Sequence, residues 1–454
     1  MRLPVSADDA WNTGAGRDGF LCARSLSSVT VNGDSKGGKR PFIQGTGMTQ
    51  RRSILKAMAA APLALAPSFA IAAEKAKAKL IISDMELIHV HINKRGTGNW
   101  LIPRLKTANG LTGLGDASQS TSDAQCIAFL KQYLELMRGR SIFDIEWFRR
   151  AAAPIRTQNG GNFGRTPSGV AASAFEQAMW DLQGKALGVP AYELFGGRIQ
   201  DRIRVYANIN RSTDDRTPAG FAANAKRAID AGFDAIKMAP YDNGPKAITD
   251  RAQLERYMQL GIDCAQAVRD VIGPRRDLLV DVHSHFNLQD GLELAKRFEP
   301  LNLYWLEEVC PPEPVENLAA INKAAKMPTA GGEQIHGVKD FYPYIKGEAV
   351  DIVMPDVKVV GGMWELKMIA AMAEGAGLMC SPHGPASPIG NAAAAHVMAT
   401  VPNFEIFEFS FGEVSWRSEL VDPPERVENS SLILSARPGL GHTINEKVAA
   451  KYAV

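Results

Sequence analysis

Leu278–Phe286 reads LLVDVHSHF, Leu303–Val309 reads LYWLEEV and Thr329–Gln334 reads TAGGEQ. Each apolar run delivers an acid at its end: Asp281, Glu307 and Glu333. Both intervals are 26 residues, close to one strand–helix–strand unit, which takes roughly 30 counted with both strands. Acids spaced in this way sit at the C-terminal ends of neighbouring parallel strands and converge. Three converging carboxylates repel one another unless a positive charge lies between them. A hard divalent cation with oxygen ligands answers that need, and Mg²⁺ is the expected ion.

Working outward, the runs VYANI, AIKMA, LLVDV, LYWLE, PTAGG, DIVMP, LMCSP and FEIFEF follow one another from Val205 onward. Helical stretches such as PAGFAANAKRAIDAG and WELKMIAAMAEGA separate them. Eight strands with seven intervening helices predict a (β/α)₇β TIM-like barrel, whose functional residues collect at the C-terminal strand ends. An open doubly wound sheet is the structural alternative, but no Gly-rich phosphate loop follows any of these strands.

Strand ends therefore carry the chemistry. Lys237 and Ala239 share a face on the second strand, as do Asp281 and His283 on the third. Lys237 is expected at the mouth, where it can meet a substrate carboxylate. Periodicity leaves open whether Glu307 or Glu308 faces inward. Asp356 and His383 fall 27 residues apart, so adjacent strands can join them as a dyad in which the carboxylate orients a basic imidazole. Glu408, on the eighth strand, can hydrogen-bond a developing oxyanion if its pKa is raised.

Before the barrel, KLIISDMELIHVHI and NWLIPRLKTANGLTGLGDAS read as strands. Helical periodicity follows in TSDAQCIAFLKQYLELMRGR and VAASAFEQAMWDLQGKALGV. A separate α+β domain is thus expected over 78–200, with the catalytic barrel over 201–414. Residues 1–47 read as disordered or as a mis-assigned start ahead of Met48. Residues 48–73 read as a twin-arginine signal: Arg51–Arg52, a short apolar run, then Ala70-Ile71-Ala72. That run is too short and proline-interrupted to span a bilayer, which takes about 20 apolar residues. Periplasmic export follows, and blotting of cell fractions checks it; a full-length cytoplasmic product would refute it.

Composition narrows the class further. A formal charge of +2 over 454 residues, with no basic run interleaved with aromatics, gives no reason to expect nucleic acid. The five cysteines (Cys22, Cys126, Cys264, Cys310 and Cys380) stand singly and suit core packing better than a disulfide or zinc framework.

The segments LFGG, MWDLQGKALGVP, VDVHSH, WLEEV, GGEQ, MPDVKVVGG, SPHGP and PGLG, in this order, resemble the enolase superfamily. The resemblance is to the mandelate racemase and muconate lactonizing enzyme branch, and most to its galactonate dehydratase type. It covers nearly everything after about residue 80, and it implies that the N-terminal α+β domain caps a (β/α)₇β barrel and is completed by about 415–454. It implies one Mg²⁺ per active site on Asp281, Glu307 and Glu333, with Glu307 chosen over Glu308. It also implies that His383, paired with Asp356, removes the proton beside a substrate carboxylate while Glu408 stabilises the enediolate. Racemases of this branch carry Lys-x-Lys on the second strand, and here the second position is Ala239. The Asp281-x-His283 arrangement resembles acid-sugar dehydratases, in which this histidine protonates the departing hydroxyl.

The implied activity is β-elimination of water from a polyhydroxy acid to a 2-keto-3-deoxy acid. A cycloisomerase, epimerase or racemase of sugar acids or anhydro-sugar acids is the alternative, and a catalytically decayed periplasmic binding protein is a third. The implied partner is a small-molecule sugar acid, with no membrane contact after signal removal and with homo-oligomeric assembly.

Overall fold

The computed structural model describes residues 80–92, 98–157, 164–245 and 248–454. The readings for 1–47 and 48–73 fall outside the described residues, as do 74–79, 93–97, 158–163 and 246–247. No helix among the described residues is long and apolar enough to cross a membrane.

The chain first builds an antiparallel meander of β1 (Ile82–Val90), β2 (Trp100–Thr107) and β3 (Thr112–Leu114). Against it pack α1 (Asp123–Met137) and α3 (Pro167–Leu187), while α2 (Ile145–Thr157) packs on α3. Ser122 caps α1 by accepting from the Gln125 N–H, and Thr166 with Pro167 starts α3, as such residues do at helix N-termini. Left-handed Gly188 ends α3. The sequence reading passed over α2. Residues Pro167–Gly184 of α3 are buried on every side, because the helix is clasped between the cap strands and the barrel. Gly115 makes the close approach possible: a Cβ there would lie 1.9 Å from the Ala174 carbonyl oxygen.

After the short helix α4 (Ala191–Leu194), strands and helices alternate strictly. The first half runs β4 (Arg202–Asn208), α5 (Pro218–Asp230), β5 (Ala235–Met238), α6 (Arg251–Ile272), β6 (Asp277–Asp281), α7 (Leu288–Phe298) and β7 (Trp305–Glu307). The second runs α8 (Val315–Ala324), β8 (Thr329–Gly331), α9 (Gly337–Lys346), β9 (Ile352–Val353), α10 (Met363–Gly375), β10 (Met379–Cys380), α11 (Pro388–Met398) and β11 (Phe407–Ser410). The strands pair in parallel in the order β10-β9-β8-β7-β6-β5-β4-β11. The ring closes between Cys380 and Phe404, where Cys380 N–H donates to Asn403 and Glu405 N–H donates to Cys380. This is the (β/α)₇β barrel with an N-terminal α+β cap.

The sequence reading gave no strands to the C-terminal segment, yet it serves both parts. Here β12 (Val421–Asp422) pairs with β14 (Thr443–Ile444), β13 (Ser431–Ile433) pairs antiparallel with β4, and α12 (Glu446–Lys451) packs near β1. Tyr452 accepts from the His91 N–H, and Val454 N–H donates to the His89 carbonyl at 3.0 Å.

Candidate active site

The barrel brings all eight predicted side chains to one end, under the cap. Parallel register sets Asp281 directly beside Glu307. Lys237 is the penultimate residue of the buried strand β5, and Glu408 lies on β11. Glu333, Asp356 and His383 stand two to three residues beyond β8, β9 and β10. Together with cap residues such as Arg165 and Thr121, Lys237, His283, Glu333, His383 and Glu408 border a cavity of about 520 Å³. That is ordinary for a small-molecule site.

Lys237 borders the cavity, as expected, but lies buried among the acids. It is 2% exposed, and its Nζ lies 2.9 Å from Asp281 Oδ2, 2.5 Å from Glu307 Oε1 and 3.9 Å from Glu408 Oε1. Burial would favour the neutral amine, yet the charges of Asp281, Glu307 and Glu408 hold its pKa well above the ordinary lysine value. The ammonium thus sits as a counter-charge among the acids rather than at the rim.

Two imidazoles approach those acids from different strands. His383 places Nδ1 2.7 Å from Asp356 Oδ2 and Nε2 3.0 Å from Glu333 Oε2. Asp356 is fixed in turn by Lys358, whose backbone N–H donates to Oδ1 at 2.7 Å and whose Nζ lies 3.2 Å from Oδ2. Burial disfavours the imidazolium of His383, but Glu333, Glu408 and Asp356 raise its pKa. His283 places Nε2 3.0 Å from Asp281 Oδ2 and Nδ1 2.5 Å from Asp242 Oδ1. Sequence reasoning missed Asp242. It lies in the turn after β5, past Pro240, where strand parity no longer says which way a side chain points.

Two expectations need correction. Glu408 was to serve as a donor if its pKa were raised. Burial does push that way, but Lys237, His383, the Gly384 N–H at 3.0 Å and the Asn208 amide hold the carboxyl below its usual range. It is an acceptor, not a ready proton donor. The choice between Glu307 and Glu308 is also less clean than one inside and one outside. Glu307 faces inward, bound to Lys237 and to Trp305 Nε1 at 2.8 Å. Glu308 is buried too, and burial followed by the charges of Glu333 and Asp281 pushes its carboxyl up to about 7.

A divalent cation fits this donor set. Asp281 Oδ2 and Glu333 Oε2 are buried and accept no hydrogen bond, although cationic groups stand within ion-pair distance. Buried carboxylate oxygens without donors are costly unless something else satisfies them. Ligand atoms of Asp281, His283 and Glu333 lie within 4.8 Å of one another. Glu307 lies outside that group, with Oε1 on Lys237 and Oε2 on Trp305 Nε1. Carboxylate oxygens are the donors that Mg²⁺ prefers.

Fold and site together define a member of the enolase superfamily. Residues 220–448 match the enolase C-terminal domain-like family, and residues 77–196 match the mandelate racemase/muconate lactonizing enzyme N-terminal domain. The chain belongs to this family of enzymes. It is 31% identical to a D-gluconate dehydratase of Thermoproteus tenax over 78% of this chain and 69% of that one. It is 29% identical to a D-xylonate dehydratase of Haloferax volcanii over 77% of this chain and 84% of the relative. Among solved structures, it resembles a mandelate racemase/muconate lactonizing enzyme-like protein from Rubrobacter xylanophilus. That match has a TM-score of 0.74 and 28% identity, covering 83% of this chain and 98% of the other.

Proposed function

We propose that this chain is a Mg²⁺-dependent acid-sugar dehydratase, converting a polyhydroxy acid to its 2-keto-3-deoxy form. The observation that carries the reading is the pair of imidazoles, His383 and His283, facing one set of buried carboxylates from two sides. The relatives named as gluconate and xylonate dehydratases support the substrate class.

Asp281, Glu307 and Glu333 would hold the ion, which leaves the imidazoles free for proton transfer. When bound, Mg²⁺ supplies Lewis-acid stabilisation of the charge that develops on the substrate carboxylate. His383, held by Asp356, takes the α-proton. The electron pair left behind forms an enediolate, with Lys237 close by as a fixed positive charge. Collapse of the enediolate breaks the β-carbon–oxygen bond, and His283 protonates the departing hydroxyl to give water. The resulting enol tautomerises to the keto acid. With Ala239 in place of a second lysine, His283 is the group left to act opposite His383.

Proton exchange followed by NMR in D₂O separates the two roles. His383→Ala should abolish α-proton exchange, whereas His283→Ala should exchange the proton yet fail to dehydrate. If both variants dehydrate normally, the mechanism is wrong. The same opposed imidazoles would also suit a sugar-acid epimerase or cycloisomerase. An isomer in place of a 2-keto product in the wild-type reaction would select that reading.

A further inference from the structure

We infer that Asp242 is a positioning residue for His283, forming a second Asp–His dyad that sets up the leaving-group proton transfer. This inference rests on the dehydratase reading. Each histidine of the site has the same three-part arrangement. His383 runs from Asp356 at Nδ1 to Glu333 at Nε2, and His283 runs from Asp242 at Nδ1 to Asp281 at Nε2.

Asp242 is itself held in place, unlike an incidental surface acid. Its Oδ2 accepts from Asn210 Nδ2 at 2.6 Å and lies 3.5 Å from Arg216, leaving Oδ1 for the imidazole. Asn210 N–H donates to Asn208 Oδ1 at 2.8 Å, which ties this support to the end of β4. A cation backs each aspartate: Arg216 behind Asp242, and Lys358 behind Asp356. The backbone at His283 is left-handed, with φ +46°, and its N–H donates to Asp281 Oδ1 at 3.0 Å. The main chain thus fixes where the ring starts, and the Asp242 carboxylate fixes how it turns.

The chemistry needs that constraint. With Nδ1 turned to Asp242, Nε2 is the ring atom beside Asp281 at the cavity, and so the one placed to meet a leaving group there. As the β-carbon–oxygen bond breaks, its electron pair leaves with the oxygen. The Nε2 proton joins that oxygen as water, while the carbanion pair becomes the new carbon–carbon double bond.

Asp242→Asn tests the assignment with two substrates. Dehydration of the sugar acid should fall by roughly 100-fold in kcat, the order of a lost proton-transfer contribution. KM and α-proton exchange should stay within about threefold. A 3-deoxy-3-fluoro analogue expels fluoride with little need of a proton, so the variant should process it within about threefold of wild type. Asp242→Glu should recover part of the lost rate. Equal losses on both substrates, or no loss on either, would overturn the inference. ¹⁵N NMR of the histidine rings decides the same point without turnover: Asp242→Asn should move the His283 Nδ1 resonance and leave that of His383 in place. An unmoved His283 resonance overturns the assignment even if the wild type dehydrates no sugar acid, which would be the separate failure of the functional reading.

Discussion

The protein buries two sets of carboxylates, and the contrast between them separates architecture from chemistry. At the seam between cap and barrel, Asp116, Glu176 and Asp181 are at most 2% exposed. Backbone donors occupy them. Asp116 accepts from the N–H groups of Ser118 and Ser387, both at 2.8 Å. Glu176 accepts from Met363 and Trp364 at the start of α10, and from Trp180 Nε1. Asp181 joins the Leu114 and Leu440 N–H groups and the Lys185 ammonium. At the barrel mouth, by contrast, Asp281 Oδ2 and Glu333 Oε2 meet only side-chain groups: Lys237 at 2.9 Å and His283 at 3.0 Å for the first, His383 at 3.0 Å for the second. Backbone donors make a buried acid a fastener, whereas convergent acids held by movable side chains are free to exchange partners.

The largest effect that would break this contrast is on turnover. Asp281→Asn should cut dehydration by more than about 1,000-fold. It should also shift the stability of the metal-free protein, because Lys237 and His283 lose a buried charge partner. The wild type should gain about 2.7 kcal/mol of stability at a Mg²⁺ concentration of 100 Kd, and the variant should gain almost none. Thermal unfolding with and without Mg²⁺ reads both quantities. An equal gain in the variant would remove Asp281 from the ion site.

Next in size is the seam. Asp181→Ala strands two buried N–H groups and an ammonium, and should cost about 3 kcal/mol in chemical denaturation. The protein that stays folded should keep its turnover. A variant as stable as wild type would show that Asp181 fastens nothing.

The smallest effect concerns pH. Burial pushes the Glu176 carboxyl up to about 7, despite its three donors. A folded pKa above the unfolded value contributes stability that is complete in acid and fades as pH rises through about 7. Across pH 5 to 8 the wild type should therefore lose roughly 2 kcal/mol relative to Glu176→Gln. Parallel stability curves for the two proteins would contradict this.

Much of this molecule was legible in the sequence, for a physical reason. A buried parallel strand must be apolar, so each strand announces itself, and its last polar residue marks the barrel mouth. Asp281, Glu333, Asp356 and His383 were found in that way, as was the alternation that makes the barrel. What stayed hidden lies beyond the reach of strand parity. Asp242 sits on a turn after a proline. Arg165 comes from the cap, more than 160 residues before the Glu333 carboxylate it meets at 3.1 Å. The seam acids lie on cap segments, and Glu176 and Asp181 sit on a helix buried all round, where amphipathic periodicity has no polar face to reveal. Strand parity placed Glu408 at the strand end but could not tell which way its pKa moves, because its neighbours Lys237, Asn208 and Gly384 arrive from other parts of the barrel.

One backbone detail has a consequence for anyone wishing to alter this protein. His283, Ser284 and Glu308 adopt left-handed conformations with φ of +46°, +59° and +43°, although none is glycine. Each such residue costs on the order of 1 kcal/mol. The aim of the site is therefore written partly into main-chain torsions, which rotamer changes cannot reproduce. A hardening campaign that relaxed Ser284 to glycine would gain robustness at the loop and blur the direction of the neighbouring imidazole. In this scaffold, durability and marksmanship pull on the same few torsions, so a laboratory lineage selected for one should be expected to drift from the other.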